Sequence, residues 1–561
     1  MNKEKDMSIH THKQKRPFFA HYAKIFRNEF KGYNKSYFLN DVTAGITVGA
    51  VALPLALAFG AASVDAEHAA IGIAGGLITA IIAGIISGLL GGGSFQISGP
   101  TGAMAVILGT IVSGQYGLQG MFLSTFLSGL ILLVAGLLKF GKLVQFIPKP
   151  VITGFTSGIA LVIAIGQFKN ATGASASGES AVDKLLDFAH NIKEVDLTIM
   201  LLTLGVIVVM ALYPKKLNRY FPGSLAAIII ATAVVKIFNI DVPTIGNIPR
   251  SIINSEYLNM TAVDAKMLQS VLEYAVTIAL LGMIESLLCG TCAAQMKKEK
   301  FDSNVELIAQ GVANMVVPFA GGVPSTAAIA RTSVAIKSGC RTRLTSVFQS
   351  LFLVACMFIL SPVIAMVPYS ALAGVLLVTA YRMNDLPTIS SYFKHKLMDA
   401  IVLFFVTMVA TVALDLTYAI VIGVALSMIM TINMLAKVRV TLEEETLLDN
   451  INAAIVYSVG AYFFANGKEL KKAIEKCEKT YDVYILSFRG VVSVDLSAET
   501  EFVEAINYIK ERGADFCFVG VNEFIDADLE KIGFQEQVGR EHFYPNLEAY
   551  VKAISEAGKK S

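Results

Sequence analysis

Two stretches, GGGSFQISGPTGAMA at residues 91–105 and GGVPSTAAIAR at residues 321–331, interrupt otherwise hydrophobic sequence in the same way. Each runs from glycines through a proline to hydroxyl-bearing and small residues, and each then opens a short apolar helix. Proline is preorganised for a first helical turn, and a helix that starts inside a membrane presents free N–H groups and about half a positive charge to whatever precedes it. Paired interruptions at matching places in two halves indicate a transporter substrate site. We therefore expect an anion to bind between the two stretches.

The composition of the 561-residue chain is that of a membrane protein. Hydrophobic residues make up 54% of the sequence and charged residues 16%, which excludes an ordinary water-soluble globule. Residues 1–40 are polar, carry nine Lys or Arg, and lead directly into a long apolar run. We therefore expect no cleaved secretory signal and a cytoplasmic N-terminus. The formal net charge of +2 does not indicate a nucleic-acid partner.

Apolar runs of about the 20 residues that cross a bilayer predict a polytopic α-helical protein with fourteen membrane segments, seven in each half. Half-length helices are predicted at 100–112 and 325–336, and the other segments near 42–62, 68–90, 118–138, 149–168, 197–213, 222–238, 269–295, 303–318, 344–360, 368–381, 398–413 and 416–436. Because each half has an odd number of segments, the halves (about 41–240 and 265–437) form an inverted repeat. The half-length helices then run antiparallel, and their N-termini meet near the midplane.

The distribution of basic residues orients this arrangement. Apart from the short segment 90–99, every turn predicted to be cytoplasmic is basic; the residues are Lys139, Lys142, Lys149, Lys215, Lys216, Arg219, Lys297, Lys298, Lys300, Lys337, Arg341, Arg343, Arg382, Lys394, Lys396, Lys437 and Arg439. The predicted outer loops near 169–196 and 239–268 are mixed or acidic, and the first carries Glu179, Asp183, Asp187, Glu194 and Asp196. By the positive-inside rule, both termini are expected in the cytoplasm.

Residues 438–561 have the pattern of a small cytoplasmic α/β domain. A polar linker is predicted at 441–446, before short β-type runs that alternate with amphipathic helices. The predicted strands lie near 454–465, 482–488 and 515–520, and the predicted helices near 468–477, 498–512, 525–533 and 546–556. The chain is thus expected to consist of a cytoplasmic segment (1–40), a transporter domain (41–437) and this domain (438–561).

The anion site is expected to rely on backbone groups first. Two facing helix N-termini supply roughly one positive charge between them, and backbone N–H groups and hydroxyls can replace an anion's hydration shell. The predicted substrate-binding residues are Phe59, Ser98, Gly99, Thr101, Gly102, Ala103, Ser325, Thr326, Ala327, Ala328 and Arg331. The alternative is that Pro and Gly only kink ordinary helices, but this leaves the duplication unexplained.

Three side chains in this set have alternative interpretations. Arg331 lies about 9 Å along its short helix, at a depth where a guanidinium costs at least about 2.5–3.5 kcal/mol. We predict that it attracts the anion; alternatively it pairs with a carboxylate or with helix C-terminal carbonyls. Glu285 is predicted to couple a proton or to gate the site, or else to be a neutral group between helices or a partner of Arg331. Phe59 either walls the site or packs between helices.

The six cysteines do not indicate a disulfide framework in so long a chain. Cys289 and Cys292 have the CxxC spacing of redox sites, but they lie in a continuous apolar run with no strand before them. No second CxxC accompanies them to hold zinc. We interpret them as small helix-packing residues and expect no catalytic residue, metal or cofactor.

Several motifs resemble the SulP family of anion transporters nearly end to end. They are Asp41-x-x-Ala44-Gly45 with Pro54, Ser98-Gly99-Pro100-Thr101, Gly282-x-x-Glu285-Ser286 and Ala327-Ala328-Ile329-Ala330-Arg331-Thr332, and the C-terminal domain resembles the family's STAS domain. The resemblance implies the seven-plus-seven inverted repeat shared with uracil permeases, with core and gate domains that move against each other. It also implies homodimers and substrates such as sulfate, bicarbonate, chloride or dicarboxylates.

Departures from the family pattern limit this comparison. Leu55 stands where several animal members have a polar Gln. Sodium-coupled bicarbonate members have Asp at Glu285 and Thr at Cys289, which favours proton over sodium coupling here. In the STAS domain, Leu496 replaces the usual phosphoacceptor, which argues against a phosphorylation switch.

The sequence thus predicts a secondary transporter that brings a small anion into a bacterial cell with a proton, by an elevator-like motion in the inner (plasma) membrane. Sulfate is the default substrate, and bicarbonate or a C4-dicarboxylate the alternative. The expected partners are the anion, H+, membrane lipids and a second copy of the chain. A second class is an anion sensor that signals through the STAS domain. A thiol oxidoreductase lacks the usual motif context, and Arg331 and the STAS domain argue against a nucleobase permease.

Overall fold

The computed structural model describes residues 25–27, 29–65, 67–142, 147–178, 180–214, 221–246, 250–414, 416–448, 451–477 and 479–558. The chain forms two compact units, Met1–Val424 and Ala425–Ser561. Most of the predicted cytoplasmic segment 1–40, the acidic Glu179 and the basic turn with Lys215, Lys216 and Arg219 lie outside the described residues.

The first half of the first unit is helical apart from one short strand. Its described elements are α1 (Lys35–Ala62), α2 (Ala69–Leu90), β1 (Ser98–Gly99), α3 (Gly102–Val112), α4 (Gly117–Leu137), α5 (Lys149–Gly166), α6 (Phe168–Thr172), α7 (Ala181–His190), α8 (Leu197–Leu212) and α9 (Gly223–Ile237).

The second half repeats this plan. Its described elements are α10 (Ala265–Lys297), α11 (Ser303–Val316), β2 (Thr326–Ala327), α12 (Ile329–Lys337), α13 (Leu344–Ile359), α14 (Ser361–Ile364), α15 (Tyr369–Met383), α16 (Leu386–Lys394), α17 (Met398–Ala413) and α18 (Leu416–Leu435), which continues into the second unit. Single 3-10 turns lie at Ile192–Glu194, Met260–Ala262 and Val317–Ala320.

A helix is present at each of the fourteen predicted places. Among the described helices, α1, α2, α4, α5, α10 and residues 418–435 of α18 are long and apolar enough to cross a membrane by themselves. The helices α3, α8, α9, α13 and α17 are apolar but shorter. The number of membrane crossings therefore stays a prediction.

The two half-length helices begin later than predicted. Helix α3 starts at Gly102 rather than at residue 100, and α12 starts at Ile329 rather than at residue 325. The residues around each proline are extended instead of helical, because β1 and β2 pair with each other. A local helix-start signal is thus overridden by a long-range contact.

Aspartate and asparagine residues fix the beginnings of several long helices. The Asn34 side chain accepts a hydrogen bond from the Tyr37 N–H at the start of α1, and Asp264 accepts one from Met267 at the start of α10. Asp302 caps α11 in the same way. Such caps satisfy N–H groups that have no partner inside the helix.

Buried polar contacts join the turn before α13 to the start of α1. The Asp41 carboxylate accepts hydrogen bonds from the backbone N–H groups of Arg341 and Thr342, at 2.6 and 3.0 Å. The Arg343 guanidinium, also buried, forms an ion pair with Glu29 at 2.8 Å. The Asp41 of the family-like motif therefore has a structural contact 300 residues along the chain.

Helix packing divides this unit into two groups. The first, which we call the ribbon group after the strand pair β1–β2 between its helices, consists of α1–α4 and α10–α13. In this group α4 packs on α10 and α11, and α1 packs on α2, α12 and α13. The flanking group consists of α5, α8, α9, α15 and α17, in which α5 packs on α15 and α17, and α8 packs on α9 and α15. The ribbon group contains both interrupted stretches.

The second unit is an α/β domain around one five-stranded sheet. Its elements are β3 (Arg439–Leu447), β4 (Ile451–Tyr462), α19 (Lys468–Glu475), β5 (Val483–Val494), α20 (Leu496–Glu511), β6 (Asp515–Val519), α21 (Glu523–Lys531), α22 (Phe534–Val538), β7 (Phe543–Tyr544) and α23 (Leu547–Gly558), with a 3-10 turn at Arg540–His542. The strand order is β3-β4-β5-β6-β7. Only the β3–β4 pair is antiparallel.

The predicted linker at 441–446 is wrong, because these residues belong to the edge strand β3. Leu442 packs against the domain core and Leu447 is buried, while Glu443, Glu444 and Glu445 are exposed. An edge strand tolerates such charges, which also prevent pairing with another chain. The Lys479 ammonium beside Glu444 holds the pKa of that carboxyl below its usual value.

Close helix crossings in the ribbon group depend on glycine. A Cβ placed on Gly129 of α4 would lie 2.6 Å from the Met315 nitrogen and 2.7 Å from the Gly311 oxygen, both on α11. Gly311 is equally close to the α4 backbone. Only residues without a side chain let the two helices approach this closely.

Replacing Gly129 by alanine is expected to destabilise the protein by about 1–3 kcal/mol, because the methyl group has no room. The measurement is the thermal unfolding midpoint of the purified protein in detergent. The matched control is Gly205→Ala in α8, where an added Cβ meets nothing within 4 Å and should not lower the midpoint. Equal losses in both variants would contradict the packing argument.

Candidate anion-binding site

The two interrupted stretches contact each other directly. Strands β1 and β2 pair antiparallel, with Ser98 opposite Ala327 and Gly99 opposite Thr326. All four residues are buried. We call this pair of strands the ribbon. It places the starts of α3 and α12, which follow its two strands, in one region of the ribbon group.

The starts of α3 and α12 carry unused backbone donors. Thr101 and Ala328 occupy the N-cap positions, and neither side chain caps its helix. The first backbone bonds within the helices run from Ala105 to Thr101 and from Thr332 to Ala328. The preceding N–H groups have no acceptor inside the helix, so each end carries about half a positive charge.

Arg331 adds a cation to this region. Its side chain is 1% exposed, and its Nη2 donates a hydrogen bond to the Pro100 carbonyl. Nε and Nη1 have no hydrogen-bond partner among the described residues. The Pro100 carbonyl thus accounts for one of its nitrogens only, and the alternative role as partner of a carboxylate is represented by an electrostatic interaction with Glu285. Buried donors without acceptors cost about 1–3 kcal/mol each, and a bound anion would supply acceptors.

Gly99 makes room for this guanidinium. A Cβ placed on Gly99 would lie 2.2 Å from the Arg331 Nη1 atom. Arg331 thus packs directly on the ribbon, since its side chain, which extends from α12, lies against the backbone of β1 at Gly99.

Glu285 lies next to the start of α3. Its carboxylate accepts a hydrogen bond from the Thr101 hydroxyl at 2.9 Å, at the start of α3. It also interacts electrostatically with Arg331. The residue is half-buried. A group that can carry negative charge therefore lies beside the groups that would hold an anion.

Three polar residues of α11 that are not among the predicted site residues support the ribbon. Gln310 donates to the Ser98 hydroxyl at 2.7 Å and to Glu306 at 2.8 Å. Asn314 bonds both the N–H and the C=O of Ser325, at 2.7 and 2.9 Å. Glu306 accepts from the Gly92 N–H at 2.9 Å. Their four-residue spacing on an apolar helix is a signal that could have identified them.

The hydroxyls predicted to bind substrate have protein partners. Ser98 and Ser325 contact Gln310 and Asn314 of α11, and the Thr326 hydroxyl lies 2.8 Å from that of Ser286 on α10. In this structure these groups hold the ribbon in place. Of the predicted residues nearest the helix starts, Thr101 and Ala328 remain partly accessible. Direct substrate contact by the predicted set stays a prediction.

Cys289 also supports this network. Its thiol donates to the Thr332 hydroxyl at 3.4 Å, and this hydroxyl accepts the Ile97 N–H next to the ribbon. The six cysteines are free. Among the described residues, no group of His, Cys, Asp and Glu is placed to hold a metal ion.

Phe59 lies against the start of α3. A Cβ placed on Gly102 would lie 2.9 Å from the Phe59 ring and 2.4 Å from Ile163 of α5. Both side chains are buried. The start of α3, which includes Ala103, thus has an apolar wall on this side. A surface cavity of about 560 Å³ lies elsewhere, near Lys236, Asp241 and Thr244, and none of the predicted site residues lines it.

A bundle of apolar helices in which two interrupted segments join their helix starts beside a buried cation is the architecture of a membrane transporter for anions. The chain belongs to the sulfate permease family, whose sequence profile matches residues 38–407. The STAS domain profile matches residues 447–550.

Two similar proteins support this placement, and a third shows the same fold. The chain is 34% identical over 537 residues to the putative sulfate transporter YvdB of Bacillus subtilis (strain 168), covering 92% of this chain and 98% of that protein. The transmembrane domain of a cyanobacterial bicarbonate transporter, BicA, matches at TM-score 0.63 and 27% identity, covering 69% of this chain and 98% of the other. The murine anion transporter Slc26a9, at 19% identity, covers 95% of both chains with TM-score 0.80 and shows likeness of fold alone.

These similarities confirm the predicted family, the STAS domain and the helical membrane-transporter fold. They also confirm a multi-pass membrane protein in a family of anion transporters, which are not enzymes. The transported anion, the coupling ion and the individual site residues stay predictions.

Substituting Gly99 by alanine is expected to displace the Arg331 guanidinium and to lower anion uptake about tenfold or more, a loss of at least ~1.4 kcal/mol. Uptake is measured in membranes, relative to the amount of inserted protein. Gly109→Ala is the control on α3, because the nearest atom to its added Cβ is the Ala62 oxygen at 3.8 Å. Uptake by Gly99→Ala equal to that of the control would show that the position of Arg331 is not important.

Proposed function

We propose that this protein is a secondary active transporter that carries a small anion of the sulfate type into a bacterial cell together with a proton. The anion binds between the starts of α3 and α12, beside Arg331. The ribbon group carries this site past the flanking group, so that the two sides of the membrane have access to it in turn.

The observation that supports this proposal most strongly is the arrangement of unpaired donors around the ribbon. Two helix starts carry N–H groups without helical acceptors, and the almost fully buried Arg331 has two nitrogens with no hydrogen-bond partner in the part of the chain that the structure describes. Water is excluded from such a group, so its interaction with an anion is stronger than at a surface. A structural role alone would leave these donors unsatisfied.

Proton coupling follows from the position of Glu285. An ionised carboxylate beside the site repels a bound anion, and protonation removes that repulsion. Anion and proton then favour each other's binding, and such coupling between sites typically amounts to about 1–3 kcal/mol, or 5–150-fold. The Thr101 hydroxyl links the Glu285 carboxylate to the start of α3, so both ligands act on one small region.

We further propose that both termini are cytoplasmic, that the protein lies in the bacterial inner membrane, and that it forms homodimers. The chain would consist of an N-terminal segment (1–40), a transporter domain (41–437) and a STAS domain (438–561). Sulfate is favoured by the name of YvdB, a putative sulfate transporter that matches 92% of this chain. Bicarbonate is the alternative substrate, favoured by the similarity to the bicarbonate transporter BicA. A C4-dicarboxylate is a third alternative.

The substrate is identified by uptake into proteoliposomes that contain the purified protein. We expect labelled sulfate to accumulate under an inward proton gradient and to be displaced by excess sulfate more effectively than by bicarbonate or succinate. Stronger displacement by either of the other anions would reassign the substrate. If no anion accumulates under an inward proton gradient, symport is refuted.

Glu285→Gln tests the coupling group, because glutamine is neutral at every pH. Anion movement down its own gradient should continue, but accumulation should no longer respond to the proton gradient. The matched control is Glu273→Gln, which changes an exposed carboxylate on the same helix and should respond like the wild type. A Glu285→Gln protein that is still driven by protons would remove Glu285 from the mechanism.

An anion sensor remains the second candidate, and one observation on the STAS domain favours it. Phe464, Leu496 and Phe524 follow β4, β5 and β6 and are 72%, 66% and 83% exposed. Such exposed apolar groups suit a protein partner. In a deletion strain, normal uptake with altered gene expression would favour the sensor, whereas lost uptake favours the transporter.

A further inference from the structure

Ile163 closes the site from the opposite helix group. The start of α3 belongs to the ribbon group, and it is covered by Phe59 from the same group and by Ile163 from α5 in the flanking group. The position that a Cβ of Gly102 would occupy lies 2.4 Å from the Ile163 Cδ1 atom. Of the two walls, only Ile163 is supplied by the group past which the site would move.

The flanking group holds Ile163 firmly. Helix α5 packs against α17 so closely that a Cβ on Gly154 would lie 2.4 Å from the Phe404 oxygen, and one on Gly158 would lie 2.4 Å from Thr411. Phe155, Ile159 and Ile163 recur every four residues and form a buried face of α5. The position of Ile163 is therefore set by α5 and its neighbours rather than by α3.

The branched side chain of isoleucine is suited to form a fixed boundary of the anion site. A β-branched side chain in a helix has one strongly preferred χ1 rotamer, so the branch at the Ile163 Cβ keeps a fixed position. Its Cδ1 atom packs against Gly102, and both Gly102 and Ala103 are buried, so an anion at this helix start is attracted in surroundings poor in water. The space available to an anion at the start of α3, and the exposure of that helix start to water, thus depend on Ile163.

We propose that Ile163 is a specificity-determining residue that limits the size of the anion bound at the start of α3. This inference rests on the proposed function, because it assigns the bound anion to the same site. Ile163 and Gly102 leave no room between them for even a methyl group, so a small, compact anion would bind beside Ile163 at the helix start. Longer ones, such as dicarboxylates, are rejected by overlap with the side chain.

The test compares Ile163→Ala with the wild type in two assays: anion-induced thermal stabilisation in detergent, and displacement of labelled sulfate in proteoliposomes. Removing the branched side chain should raise the affinity for succinate relative to sulfate by about tenfold or more, since pocket changes of this size alter discrimination by 10–200-fold. Ile163→Phe should shift the ratio in the opposite direction.

Leu161→Ala is the matched control, because this residue lies on the same helix but is 45% exposed. Its succinate-to-sulfate ratio should equal that of the wild type. If the alanine variant does not fold, Ile163→Val and Ile163→Leu provide the comparison: Val should give a smaller shift in the same direction as that expected for alanine, whereas Leu, with the same volume, should shift the ratio less than Val. Unchanged ratios in folded Ile163 variants overturn the inference. Binding without uptake in the wild type would contradict the proposed transport, while the binding ratios would still test Ile163.

Discussion

The antiparallel pairing of Ser98–Gly99 with Thr326–Ala327 is the contact on which the rest of the membrane unit depends. A helix that is interrupted inside a membrane leaves backbone N–H and C=O groups without partners, and each unsatisfied group is costly there. Two interruptions that face each other satisfy one another's backbone groups, whereas a single one would need a partner from elsewhere. This explains why the interruption occurs twice, and why the helices that follow begin at the same place.

Strand pairing satisfies only some of the polar groups of the ribbon, and side chains of α11 form hydrogen bonds with others. Asn314 acts like a third strand, because its amide bonds both the N–H and the C=O of Ser325. Gln310 reaches the other strand through the Ser98 hydroxyl. A buried network in which most groups have partners is rigid, so the donors of α3, α12 and Arg331 that have no acceptor among the described residues keep a fixed geometry. Preorganised donors of this kind bind an anion without first having to rearrange.

Features with a local signal could be predicted from the sequence, and features set by distant contacts could not. Apolar runs of membrane length predicted the fourteen helices, and the duplicated glycine–proline pattern predicted that the two interruptions meet. The predicted start of α12 lies four residues too early, since Pro324 and the hydroxyls after it resemble a helix start unless β1 is known to pair there. Residues 441–446 resembled a linker because three glutamates mask the pairing of β3 with β4. The partners of Ser98 and Thr326 depend on α11 and α10, which no local pattern specifies.

The charges at the site link substrate valence to protonation under the proposed mechanism. Two helix starts contribute about one positive charge, Arg331 adds another, and an ionised Glu285 removes one, so the net value is about +1. Protonation of Glu285 raises it to about +2. A divalent anion such as sulfate matches the protonated site, and a monovalent anion such as bicarbonate matches the ionised one. A mismatch of one charge in a water-poor site is costly, because little solvent is present to screen it. Under the proposed mechanism, the protonation state of Glu285 would therefore act on selectivity as well as on coupling, and a divalent substrate and proton symport would favour each other.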